Sequence, residues 1–68
     1  MFVIVRRGRN GATEYLSRGG IIEPNWLETR ALAVVFKDEA VAQEMCDFLN
    51  QQNRRLRARV ERVKAKGE

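Results

Sequence analysis

The chain has 68 residues, 44% of them hydrophobic, with thirteen basic and nine acidic side chains, a net charge of +4 and no histidine. A chain this short buries only about 60% of the surface it exposes when unfolded, which limits it to one domain with a thin core. A single cysteine, Cys46, excludes an internal disulfide, and without histidine there is no zinc-type cluster, so packing must supply the stability. The longest apolar run, Met1 to Val5, falls far short of a membrane span of roughly 18 residues. Arg6 and Arg7 follow that run, the reverse of the order in a signal peptide, so a cytoplasmic protein without a membrane segment is expected.

Phe2 to Arg7 is rich in β-branched and aromatic residues and predicts a strand. It leads into Gly8-Arg9-Asn10-Gly11, where Asn-Gly supplies the positive φ angles of a tight hairpin turn. Ala12 to Ser17 alternates as a second strand, with Ala12, Glu14 and Leu16 on one face, and Gly19-Gly20 ends it. Ile21 to Glu28, holding Pro24 and Trp26, reads as a loop that returns an apolar anchor to the core. Ala31 to Phe36 is a continuous apolar run, predicted as a third strand with Leu32, Val34 and Phe36 on one face. Asp38 is placed as the N-cap of a helix whose apolar stripe runs through Val41, Met45 and Phe48 to Gln52, flanked by Ala40 and Leu49.

The last segment satisfies two periods. Leu56, Ala58 and Val60 alternate with Arg55, Arg57 and Arg59 as in a half-buried edge strand, while Leu56, Val60 and Val63 also continue the helical stripe. The strand is favoured because a helix over residues 38 to 65 would leave its second half with nothing to pack on. The expected architecture is therefore α+β: a small three- or four-stranded, mainly antiparallel sheet with one helix packed on one face, in the order ββ-β-α-β. The single domain spans residues 1–68, with a flexible basic tail at about 64–68.

A hairpin ending in Tyr15-Leu16, then Trp26, then Ala33-x-x-Phe36 running into a helix with Ala40, and a valine-containing end at Val60 and Val63 form one ordered set. It resembles a broad class of short uncharacterised phage and prophage proteins, from Phe2 to Val63. The resemblance implies a genomic setting rather than an activity: an accessory protein that binds a host protein or nucleoprotein complex and modulates or inhibits it. Inhibitors of bacterial defence are often of this size, although no anti-CRISPR motif stands in this sequence. The Ala33-Val34-Val35-Phe36 run is more continuously apolar than that class would have it.

Catalysis is not expected, and neither is a cofactor or a metal. Histidine, the usual base near neutral pH, is absent, and neither Ser17 nor Cys46 has a partner at a suitable spacing. Cys46 reads as a small apolar filler in the helix, and the acid pairs Asp38-Glu39 and Glu44-Asp47 as capping and surface charge. Charge is the main binding chemistry on offer. Residues 1 to 18 carry +3, residues 19 to 53 carry −4 and residues 54 to 68 carry +5, so the ends are basic and the middle is acidic. Arg6, Arg7 and Arg9 at the hairpin and Arg54, Arg55, Arg57 and Arg59 near the last element form one patch if the last strand lies beside the first. Such a patch suits nucleic-acid phosphates or an acidic protein equally well, with Tyr15 and Trp26 as the aromatics that could stack on bases. Phe2 and Ile4 take one face of the first strand and Val3 and Val5 the other. One helix covers only one face, so Val3, Val5 and Trp26 mark a candidate apolar interface for a partner protein or a homodimer.

Overall fold

The computed structural model describes residues 1–18 and 24–63. Its architecture is α+β, with a four-stranded, wholly antiparallel sheet and one helix against one face. The strands are β1 (Phe2–Arg7), β2 (Thr13–Ser17), β3 (Asn25–Leu27) and β4 (Arg59–Arg62), ordered β3-β2-β1-β4, and helix α1 (Glu39–Gln52) connects to β4. Gly19-Gly20, Ile21 to Glu23 and the tail at 64–68 lie outside the described residues.

The β1–β2 hairpin closes on three residues, Arg9 to Gly11. Gly8 donates its N–H to the Ala12 carbonyl at 2.7 Å, and Gly11 donates to Gly8 at 3.0 Å. Gly11 takes φ +84°, and the Asn10 side-chain oxygen accepts from the Ala12 N–H at 3.1 Å. The predicted turn is therefore present in a different form: Gly11 alone carries positive φ, as in hairpins where a turn is followed by a left-handed residue.

Two predicted elements change places. The predicted loop contains β3, in which Trp26 pairs with Leu16, and the predicted third strand begins inside a 3-10 turn, Arg30–Leu32. After that turn the chain touches two strands once each, Ser17 with Ala33 and Phe2 with Phe36. Phe2 and Phe36 exchange backbone hydrogen bonds of 2.8 Å, and Val34 donates to Leu16 at 2.9 Å. The β1–β2 ladder ends at Val5–Tyr15, so the backbone groups of Phe2 and Leu16 find partners in this run. The expected face changes only at its start: Leu32 is exposed and Ala33 buried, whereas Val34 and Phe36 are half-buried as expected, Val35 is exposed and Phe36 packs on the main core.

β1 is buried on both sides. Ile4 faces the helix with Leu16, Cys46, Leu49 and Ala58, and Trp26, Phe36, Leu56 and Val60 pack around them. Val3 and Val5 face the other way and pack with Ala33, Tyr15 and Val63. Asp38 caps α1 as predicted, its carboxylate accepting from the Ala40 N–H at 2.8 Å. The side that α1 buries is Ala42, Cys46 and Leu49, rotated from the stripe expected at Val41, Met45 and Phe48. Ala42 and Cys46 are small, which lets the helix approach the sheet closely.

The exit from α1 is tied down by Asn50. Its amide donates to the Ala58 carbonyl at 2.9 Å and accepts from the Ala58 N–H at 2.8 Å. Between these residues, Leu56 N–H closes a turn onto Asn53 at 3.0 Å and Arg57 takes φ +52°. A left-handed residue there ends any helical continuation, and the strand reading holds for Arg59–Arg62, while Leu56, Arg57 and Ala58, expected within the strand, precede it. Asn50→Ala would leave both Ala58 backbone groups without their partner, and is expected to cost about 1–3 kcal/mol in urea unfolding. A change below about 0.5 kcal/mol would show that this clamp carries no stability, the level ordinary for a surface substitution.

Candidate functional site

The apolar interface expected at Val3, Val5 and Trp26 does not exist as a surface. Val3 and Val5 are 1% and 0% exposed, covered from within the chain by Ala33, Tyr15 and Val63. Trp26 points to the opposite, helix-facing side and is half-buried in the main core. The reason is the run at 33–36, which bridges the central strands at Ser17 and Phe2 and supplies Ala33 as cover.

Exposed apolar side chains lie elsewhere: Met1, Leu32 and Val35 off the helix, and on α1 the stripe expected to be its apolar side. Val41, Met45 and Phe48 are 50%, 42% and 48% exposed, and lie on one flank of α1 at spacings of four and three residues. Their bulk is displaced outwards because Ala42, Cys46 and Leu49 occupy the sheet side. Of the acids on α1, Glu44 borders this stripe, while Glu39 and Asp47 lie in the row of Gln43, which donates to Asp47 at 2.9 Å; the helix carries no basic residue. Sequence held one sign of this arrangement, a second stripe at Ala42, Cys46 and Leu49 with the same spacing, but spacing does not say which stripe turns inwards.

The arginines divide into engaged and exposed groups. Arg6 donates through Nε to Glu14 at 2.8 Å and its guanidinium lies 4.8 Å from the Trp26 ring centroid, so it braces the sheet from its helix-facing side. Together with Trp26, Leu56 and Gln52 it borders an open groove of about 460 Å³ at the end of α1. Arg7, Arg9, Arg54, Arg55 and Arg57 are exposed and form no ion pair among the described residues. Arg59 reaches Glu61 at 3.9 Å, both well exposed, a contact worth little. β4 does lie beside β1, with Val5 opposite Arg59, so Arg7 is the diagonal neighbour of Arg59 on the same face. The chain turns into β4 at Arg54 to Arg57, at this same end of the sheet.

Tyr15 and Trp26, the aromatics considered for base stacking, each pack on a core cluster. No helix among the described residues is long and apolar enough to cross a membrane. No family model, curated protein or solved structure matches this chain.

Cys46 is buried at 1% exposure. Burial, reinforced by the charge of Asp47 and opposed by a contact from the Asn50 amide, pushes its thiol pKa up. The folded thiol thus holds its proton more tightly than the unfolded one. Its contribution to stability is complete below the unfolded pKa and is lost as pH rises through the folded value. In a thiol-labelling time course at mildly alkaline pH, the native chain is expected to react far more slowly than free cysteine, and at a normal rate in urea. Equal rates in both states would contradict the burial of Cys46.

Proposed function

We propose that this chain is a non-catalytic interaction protein that docks on a host macromolecular complex through the outer flank of α1 and alters its action. The observation that carries the proposal is the exposed stripe of Val41, Met45 and Phe48. Three large apolar side chains in one row on a rigid helix lose free energy to water when free and regain it when covered, a common way for a helix to lie in an apolar groove. The partner is a protein surface with an apolar centre and a rim of lysine or arginine. That choice follows from charge, because Glu44 flanks the stripe and α1 carries three acids without a compensating base. The same charges disfavour a second copy of the chain, which would bring like-charged helices together. A phage or prophage setting, implied by the resemblance in sequence, suits a small protein whose task is to occupy another protein's surface.

The test is site-specific photo-crosslinking in bacterial lysate, with the crosslinker at position 45 and, as control, at position 43 on the far side of the helix. One nuclease-resistant adduct is expected from position 45, with the crosslinked peptide mapped to an apolar surface rimmed by basic residues. Phe48→Glu should abolish the adduct and change unfolding free energy by no more than about 0.5–1 kcal/mol, since the side chain is half in water already. Equal crosslinking from position 43, or an adduct only with a second copy of this chain, would overturn the proposal.

A further inference from the structure

The end of the sheet that carries the arginines is independent of the α1 stripe. Most of its charge has a structural explanation. Arg54 and Arg55 directly follow the C-terminus of α1, where positive charge complements the helix dipole, and charge along β4 protects an exposed sheet edge from pairing with other chains. Neither explanation covers Arg57. It is the one non-glycine residue with positive φ among those described, at +52°, in an exposed turn where glycine or asparagine would relieve the strain. A strained backbone that holds a long cationic side chain at a set position is a mark of use in binding. The position it holds is between Arg54-Arg55 and Arg59, where β4 enters the sheet beside Arg7.

We propose that Arg7, Arg9, Arg54, Arg55, Arg57 and Arg59 form a contact surface for the phosphate backbone of a nucleic-acid duplex, with Arg57 as its positioned centre. Planar guanidinium groups suit phosphate oxygens, and their convergence from two distant parts of the chain onto one sheet end gives the row of charges that a backbone requires. A duplex is favoured over a single strand because Tyr15 and Trp26 are committed to the two core clusters and leave no stacking platform beside the arginines. The contact reads charge and not sequence.

Fluorescence anisotropy with the full chain and a labelled, mixed-sequence DNA duplex of about two helical turns tests this, titrated between about 50 and 200 mM salt. With about −0.9 per neutralised phosphate and the five arginines that lack an ion pair among the described residues, a log–log salt slope of about −4.5 is expected. Arg57→Gly should weaken binding about threefold or more and reduce the slope by about one unit, while its melting temperature stays the same or rises. Arg7→Gln, in a regular strand position, should reduce the slope similarly and serves if the glycine variant folds poorly. Undetectable duplex binding at the lowest salt, or both variants binding as tightly as the parent, would overturn the inference. Competition by poly-glutamate as effective as that by unlabelled duplex would also overturn it, by assigning the surface to an acidic protein.

Discussion

The two hydrogen bonds between the Asn50 amide and the Ala58 backbone fix how the helix lies on the sheet. A helix resting on a sheet through small side chains has little to stop it from rolling about its axis, because Ala42 and Cys46 offer few interlocking contacts. Asn50 removes that freedom by pairing with Ala58 much as a neighbouring strand would, at 2.9 and 2.8 Å. The same pair marks the start of the return into β4, which then lies antiparallel to β1 with Ile4 opposite Val60. Three features follow from this one joint: which flank of α1 is left outside, where β4 enters, and which arginines end up side by side.

Sequence was most legible where chemistry is local. Asn10-Gly11 marked the hairpin, and Asp38 marked the helix start through a side-chain bond to Ala40, because both depend only on residues within a turn. It failed where the outcome depends on distant partners. Val41-Met45-Phe48 and Ala42-Cys46-Leu49 have identical spacing, and hydrophobicity favours the bulkier row, yet the sheet accepts the smaller one. Trp26 lies in a strand because Leu16 is there to pair with it, which nothing in Asn25-Trp26-Leu27 announces. The uncovered face expected at Val3 and Val5 vanished for the same reason, since Ala33 reaches it from a run whose apolar continuity resembled a strand. The arginine patch was legible only conditionally, and the pairing of β4 with β1 meets that condition.

The charge pattern along the chain acquires a spatial meaning. Its basic ends are neighbours because β1 and β4 are adjacent, and part of its acidic middle lies on α1 beside the exposed stripe. The molecule thus presents two chemically opposite surfaces on a core too small to spare a large side chain. A helix with its bulk inside would be the more stable arrangement for a solitary protein. Leaving Met45 and Phe48 in water makes physical sense if a partner covers them. The packing of Cys46 against Ile4 is thereby tied to the proposed role of the whole chain.

Hydroxyl-radical footprinting of the chain, free and bound to the partner captured by crosslinking, tests this account most directly. In the free chain Met45 and Phe48 should be labelled rapidly while Cys46 and Leu49 stay protected, and on binding Met45 and Phe48 should become protected as well. Protection of Met45 and Phe48 already in the free monomer, or labelling that does not change on binding, would contradict it.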